Sequence, residues 1–426
     1  MAANKSSAGT VPAPAGVRPQ TVDKPTGQTA GTPLVTPPAS GLGKALGRTP
    51  FVRSAEAEAS DPGAIRKIAK ALGPGPFSTV LLFFSYAASR ASLAMQLQSE
   101  FPKARIMGCS TAGELSSAGY DEGKIVAMGF PAEHFGVETL LVPNLQALAP
   151  QDLMGGLIRA RQNLMRRYPT FTHEFAFLLV DGLSTREDQL TAALASGLGS
   201  VPLFGGSAGD GDRFEETFVL NGHEMTQNAA VLTFFRTDCP VKVFSYDHFQ
   251  ATETRMVVTR ADPERRVVKE INAEPAAREY ARLIGMDPAL LDDHVFAANP
   301  VVVRVGGRHH VRSIKSVGDN GEMTFFAAID EGVVLTLARP DNMIDHLSNA
   351  LTDLSMRADP AMILACDCVF RKLEAEMSQK KSGISDLLAR HNVRGFSTYG
   401  EQIGAIHVNQ TFTGVAIYPP GSGPER

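Results

Sequence analysis

Gly108-Cys-Ser-Thr-Ala-Gly-Glu114 and Gly395-Phe-Ser-Thr-Tyr-Gly-Glu401 share five of seven residues, and Gly205-Gly-Ser-Ala-Gly-Asp210 is the same turn one residue shorter. Each stands at the end of the same succession. Thr79-Val-Leu-Leu-Phe-Phe-Ser85, Glu174-Phe-Ala-Phe-Leu-Leu-Val-Asp181 and Ala361-Met-Ile-Leu-Ala-Cys-Asp-Cys368 are continuous apolar runs. A strand with one wet face would alternate, so these read as strands buried on both sides. Helical stretches follow at about 89–100, 186–197, and 370–378 with 385–390. Short second strands, Arg105-Ile-Met, Pro202-Leu-Phe and Val393-Arg394, then run into the glycine turns. After each turn come two strand-like runs expected to pair: 124–130 with 136–142, 217–220 with 229–235, and 404–409 with 411–418.

The expected fold class is therefore α/β, with mixed sheets built from repeated strand-helix-strand-hairpin units and right-handed crossovers. Between the second and third units, Val241-Lys-Val-Phe-Ser-Tyr246, Arg255-Met-Val-Val-Thr259, Arg266-Val-Val-Lys-Glu-Ile271, Pro300-Val-Val-Val-Arg-Val305 and Gly332-Val-Val-Leu-Thr-Leu337 are separated mostly by turn residues. They predict an antiparallel strand-rich central segment, with a helix over 275–284 that Gly285 ends. The glycine turns fall at the carboxyl ends of the expected parallel strands, where open α/β sheets hold ligands. Any one such turn taken alone could simply end a strand.

The chain has 426 residues, 20% of them charged, with four Cys and no Trp. Its net charge of −4 conceals an uneven distribution. Residues 1–50 hold five basic groups, one acid and eight prolines, which leaves the remainder with 36 basic and 44 acidic side chains, a formal −8. Phosphate neutralisation needs a surplus of Lys and Arg, so a nucleic-acid partner is not expected. The Pro/Ala/Gly/Ser/Thr-rich stretch 1–58 reads as a disordered tail, and 421–426 as a C-terminal one. Neither a membrane-length apolar segment nor an apolar signal block is present, which makes a cytoplasmic location and no membrane partner the expectation. Four scattered cysteines do not form a disulfide framework.

Several residue patterns carry chemistry. Gly205-Gly-Ser207-Ala-Gly209 has the spelling of a hydrolase elbow, but Asp210-Gly-Asp-Arg213 continues as a loop rather than a helix, so a serine or cysteine hydrolase using Ser207 or Cys109 is a secondary reading. The same turns could offer backbone N–H groups to a carboxylate or phosphate. That makes Gly108, Ser110, Thr111, Glu114, Gly206, Ser207, Asp210, Ser397, Thr398 and Glu401 the candidate ligand-binding set. Cys366 and Cys368 share one strand face, either as small core residues or as a soft-metal or redox pair. His248 and His407 sit in strand-like runs with aromatic neighbours, as structural residues or as ligands.

Gly108–Glu114, Leu203-Phe-Gly-Gly-Ser-Ala-Gly-Asp210, Glu270-Ile-Asn-Ala-Glu-Pro-Ala-Ala-Arg-Glu-Tyr-Ala-Arg282 and Gly395–Glu401, in this order, resemble the FIST N and FIST C domains. The resemblance implies a FIST N-like domain over 59–240, a FIST C-like domain over 241–420, and a non-enzymatic sensor that passes its signal to another protein. Asp247-His-Phe249, Asn299-Pro-Val-Val-Val-Arg304, Cys366-Asp-Cys368 and His407-Val-Asn-Gln-Thr-Phe-Thr413 further resemble the stand-alone NosP-type proteins. That narrower likeness implies haem b as cofactor and nitric oxide as ligand. A sensor histidine kinase or cyclic-dinucleotide enzyme is the implied partner. Haem needs an apolar slot, an imidazole and cations for its propionates. His248 or His407 would supply the iron ligand, and Arg255, Arg304 and Arg312 the counter-charges. A small metabolite such as an amino acid, held by the glycine turns with Glu114, Asp210 or Glu401, is the alternative ligand.

Overall fold

Each continuous apolar run becomes the central strand of a sheet, and each glycine turn ends the parallel strand beside it. The computed structural model describes residues 51–422; the tail expected over 1–50 and residues 423–426 lie outside the described residues. The first repeat has an opening strand (Arg53–Glu58), a helix (Ala64–Leu72), a central strand (Phe77–Ser85) and a second helix (Arg90–Glu100). A glycine strand (Arg105–Thr111), a short hairpin (Glu114–Ser116 with Gly119–Asp121) and a closing strand (Lys124–Pro131) complete it. The second repeats this order: Phe135–Val142, Pro150–Arg167, His173–Val180, Glu187–Leu198, Leu203–Ser207, the hairpin Val219–Asn221 with Glu224–Thr226, and Ala230–Thr237. The third opens with Val241–Tyr246, and resumes after an inserted segment at the helix Met343–Ser355. Its central strand is Met362–Cys368, followed by helices Val369–Met377 and Lys381–Arg390, and its glycine strand is Val393–Thr398. The hairpin Glu401–Ile403 with Ile406–Val408 and the closing strand Phe412–Ile417 finish it.

Within every repeat the central and glycine strands are parallel. The closing strand lies antiparallel on the other side of the central strand, and the opening strand pairs with the closing one. The hairpins leave home. That of the first repeat extends the sheet of the third, that of the third extends the second, and that of the second extends the first. Three six-stranded sheets are thereby linked in a ring.

The inner faces of the three sheets share one core. Phe83 stacks on Phe396 at 4.6 Å between ring centroids and meets Phe177 edge-on at 6.4 Å, so one ring from each sheet contributes. Burying each such ring stabilises the fold by roughly 1.5–3 kcal/mol. Helices cover the outer faces in three separate apolar layers, containing Ile65 and Leu93 in the first repeat, Leu157 and Leu194 in the second, and Leu347 and Leu387 in the third.

Three expectations change. The paired runs 124–130 with 136–142, 217–220 with 229–235, and 404–409 with 411–418 are not hairpins, because each member belongs to a different sheet. At the first crossing, Phe130 and Phe135 both turn into the shared core, 5.1 Å apart, so the chain changes sheet instead of folding back. Residues 53–58, assigned to the tail, form an edge strand held by backbone pairing to 124–129. Its Arg-Ser-Ala-Glu-Ala-Glu sequence has little apolar surface, but an edge strand needs little. The division at 240/241 does not separate two bodies either, since the described residues form one compact unit whose sheets mix both halves.

The inserted segment, 249–340, is the expected antiparallel sheet, in the strand order Arg308–Arg312, Val301–Val305, Val334–Pro340, Phe249–Asp262, Val267–Ile271, Met323–Phe325, Ile314–Val317. The helix Ala276–Ile284 packs on it, and Gly285 ends that helix at φ 74°. No helix among the described residues is long and apolar enough to cross a membrane.

Candidate functional site

The first glycine of each turn is a packing residue. Gly108, Gly205 and Gly395 pair in register with Leu82, Leu178 and Ala365 of the central strands. A Cβ on any of them would collide with the carbonyl oxygen of that partner. Gly206 is also close-packed, with side-chain atoms of Thr398, Cys366 and Phe396 of the third repeat 2.6–2.9 Å from its Cβ position.

The turn N–H groups are spent on each other. Ala112 N donates to Ser397 O at 3.0 Å and Ser397 N to Gly113 O at 2.8 Å; Ser207 N donates to Gly400 O at 2.8 Å and Tyr399 N to Ser207 O at 3.2 Å; Gly209 N donates to Ser110 O at 3.0 Å. The three turns thus meet head to tail at the centre of the ring, and these amides are not open to a ligand. The acids are likewise latches. Glu114 accepts from the Thr111 hydroxyl and from Lys124 N at 3.0 Å, while Glu401 accepts from the Thr398 hydroxyl, Thr411 N at 3.2 Å and Thr411 Oγ1 at 2.8 Å. Each ties its turn to the closing strand ten residues on. Burial raises Glu114 to about 7 and Glu401 to about 8. Asp210 instead holds its own loop, accepting from Phe214 N, Glu215 N and Glu216 N at 2.8–3.0 Å and from the Tyr399 hydroxyl at 2.5 Å.

A cleft of ≈ 640 Å³ opens where Ser85 and Thr111, paired in register, end the parallel strands of the first repeat. This is the crevice at the carboxyl edge that α/β sheets use for ligands. Tyr86, Phe214 and Phe370 give it aromatic walls; the helix Val369–Met377 lines one side, and Asp293 and His294 of the inserted segment reach its rim. Lys372, buried, ion-pairs with Glu122 and lies 3.5 Å from Ala112 O. Its contact holds the Glu122 carboxyl below the usual range. Glu114, Asp212, Asp293 and Glu376 complete a lining of five carboxyl groups around one lysine. Of the residues expected from sequence, Thr111 and Glu114 line this cleft, and Ser110 and Asp210 border a smaller one of ≈ 320 Å³ that shares Ser85 and Tyr86. Lys372, Tyr86 and Phe370 were missed. The available signal was position, because Tyr86 directly follows one central strand, and Phe370 and Lys372 fall in the first helical turn after another.

Of the residues expected to hold haem, His407 and Arg312 meet, while His248 is held elsewhere by Arg371 and Glu374. His248 is buried, its Nε2 2.9 Å from both Glu374 carboxylate oxygens and its Nδ1 2.9 Å from Arg371 Nη1. Burial, with the Arg371 charge alongside, holds its imidazole below the usual range. His407 is fully buried, its Nδ1 3.2 Å from Gln402 Nε2 and its ring packed against Gly400. Burial lowers its pKa as well. Neither histidine lines the large cleft. Arg312 is buried and donates to His407 O at 3.0 Å, whereas Arg255 and Arg304 are exposed on the inserted sheet. His407 Nε2 is buried without a hydrogen-bond partner among the described residues, but none of these five residues lines the large cleft, so that cleft is not built from the residues expected to hold haem.

The nucleophile candidates are occupied as well. Ser207 is fully buried, donates to Glu187 Oε1 at 3.3 Å and accepts from Gln402 Nε2 at 2.9 Å. No histidine contacts its hydroxyl among the described residues. Cys109, Cys366 and Cys368 are buried free thiols whose pKa values burial pushes well up, which suits core packing rather than attack or metal binding.

A comparison with curated proteins gives no match. Family comparison does: residues 78–274 match the FIST N domain and residues 276–404 the FIST C domain. FIST domains are ligand-sensing modules and generally non-catalytic. The three glycine turns, the interlocked sheets and the inserted antiparallel segment therefore have a family context: FIST N and FIST C domains are present in this chain.

Proposed function

We propose that this chain senses a small zwitterionic metabolite, such as an amino acid, in the cleft at Ser85 and Thr111, and passes the signal to a partner protein. The observation that carries the reading is the lining itself. One buried ammonium, Lys372, suits a ligand carboxylate, and the surrounding carboxyl groups suit a ligand ammonium. Aromatic walls from Tyr86, Phe214 and Phe370 suit an apolar side chain.

The helix Val369–Met377 is the natural transmitter. Phe370, Leu373 and Met377 face the cleft, while Arg371 and Glu374 grip His248, directly before the strand that opens the inserted segment. A ligand that shifts the helix would tilt the insert, and a histidine kinase or cyclic-dinucleotide enzyme reading that surface is the expected receiver. Haem and nitric oxide, the ligand pair of the narrower resemblance, gain no support from the donor set above.

Thermal unfolding of the full chain with a panel of free amino acids, their methyl esters and their N-acetyl forms tests the proposal. A ligand at a hundredfold its Kd adds about 2.7 kcal/mol. Stabilisation by a free amino acid and by neither blocked form is expected. A Soret band in protein purified with haem supplied, or stabilisation indifferent to blocking, would count against it.

A further inference from the structure

Away from the cleft, the linkers between successive repeats bring three metal-binding side chains together. His134 lies in the turn from the first closing strand to the second opening strand, and Asp238 and Cys239 lie in the next such turn. The pairing of Thr237 with Phe135 places the two turns side by side. His134 Nδ1 is 3.1 Å from both carboxylate oxygens of Asp238, and Cys239 Sγ is 3.1 Å from Asp238 Oδ1. All three donor atoms lie within 4.8 Å of one another.

We propose that His134, Asp238 and Cys239 form a Zn²⁺ site with water in the fourth position. With Zn–N and Zn–O bonds near 2.0–2.2 Å and Zn–S near 2.3 Å, adjacent donors of a tetrahedron stand about 3.3–3.6 Å apart. The two measured separations reach that by opening a few tenths of an ångström. A thiolate, an imidazole and a carboxylate together select zinc over magnesium or calcium, whose preference is for oxygen. Cys239 is buried while the His134 and Asp238 side chains are 24% and 35% exposed, so the metal has a floor of protein and an open face to water. Backbone order is present beforehand. Cys239 N donates to Thr237 Oγ1 at 3.1 Å, Pro240 follows, and the Phe51 ring meets the His134 imidazole edge-on at 5.0 Å. Cys239 shares the apolar core with Cys109 and Cys366, and burial raises its thiol pKa as it does theirs, but its Sγ lies at the edge of that core, 3.1 Å from Asp238 Oδ1. The metal would staple two repeat junctions that strand pairing and the His134–Asp238 contact already hold side by side.

Co²⁺ added to the metal-free full chain is the probe. One equivalent should bind, giving the visible bands of a four-coordinate ion and a near-ultraviolet thiolate charge-transfer band, both displaced by Zn²⁺. Cys239→Ser should abolish the charge-transfer band and Cys366→Ser should leave it intact. Asp238→Asn, a near-isosteric change in a half-exposed turn, should weaken binding at least tenfold while circular dichroism stays unchanged. Absence of the thiolate band in the parent chain, its survival in Cys239→Ser, or an unaltered Co²⁺ affinity in Asp238→Asn would each reduce the trio to a surface ion pair beside a core cysteine.

Discussion

Arg371 Nη1 stands 2.9 Å from His248 Nδ1, and since a guanidinium only donates, that contact fixes the imidazole tautomer with its proton on Nε2, facing Glu374. The line continues from Arg371 Nε to Asp367 Oδ1 at 2.6 Å, and Asp367 accepts from the Tyr120 hydroxyl. Both imidazole nitrogens are committed. His248→Ala is expected to cost about 1–3 kcal/mol by leaving buried donors and acceptors unmatched, read as a lower urea midpoint. The visible spectrum of protein made with haem supplied should be the same for the parent, His248→Ala and His407→Ala; a Soret band lost in either variant would restore that residue as an iron ligand.

Lys372 is the one lysine in the cleft lining. Lys372→Met keeps the length of the side chain and removes the charge, so ligand-induced stabilisation should fall by at least tenfold in apparent affinity while Glu122, mostly exposed, returns to water. Glu376→Gln, on the same helix, should weaken binding less. Equal effects from the two changes would speak against a lysine-bound carboxylate.

Gly395→Ala inserts a methyl group against the Ala365 carbonyl at φ 151°. Overpacking of this kind costs typically 1–3 kcal/mol and more where backbone is the obstacle. Gly108→Ala, against Leu82, should behave alike, whereas Gly63→Ala, at φ −104° with only Asp61 Oδ1 at an ordinary 3.5 Å from its Cβ position, serves as the mild control. Chemical denaturation of the three variants should rank them in that way.

The buried carboxyls predict an alkaline loss of stability. Glu114 near 7 and Glu401 near 8 both bind a proton more tightly folded than unfolded, where carboxyls titrate near 4.5. The native state therefore holds more protons, and stability falls as pH rises until each native carboxyl has ionised. Between pH 6.5 and 8 the loss should be on the order of 2 kcal/mol, levelling above that. Glu114→Gln with Glu401→Gln should flatten this limb. The acid limb should persist in that double variant, because His248 and His407 are held neutral and must charge on unfolding.

Ser207 and Cys109 should be inert. A fluorophosphonate probe should label the denatured chain no less than the native one, and iodoacetamide should reach Cys109 only after unfolding. Stoichiometric labelling of native Ser207 would reopen the hydrolase reading.

Much of the fold was legible because its central strands are sandwiched between helices and core, and such burial writes a continuous apolar run into the sequence. Leu81, Leu178 and Leu364 are fully buried members of those runs. The hairpin exchange left no such trace: strands of three residues, such as Glu114–Ser116, are too short for a period, and their partners lie in other repeats. The same holds for the site. Thr111 and Glu114 belong to a repeated motif and stood out, but the motif recurs because it locks turns together, so most of its members proved architectural. Lys372 carries no motif in the sequence, and only the fold brings it into the lining of the cleft.

The ring of borrowed hairpins also orders the birth of the molecule. Strand Arg105–Thr111 keeps an unpaired edge until residues 219–226 have been made, and Leu203–Ser207 waits for residues 401–408. An N-terminal fragment cut at 275 would carry that second edge permanently bare and would tend to associate through it. The second sheet therefore cannot be completed until residues 401–408 have been synthesised. Each repeat thus depends on another for one edge of its sheet, and the edges are complete only with all three present.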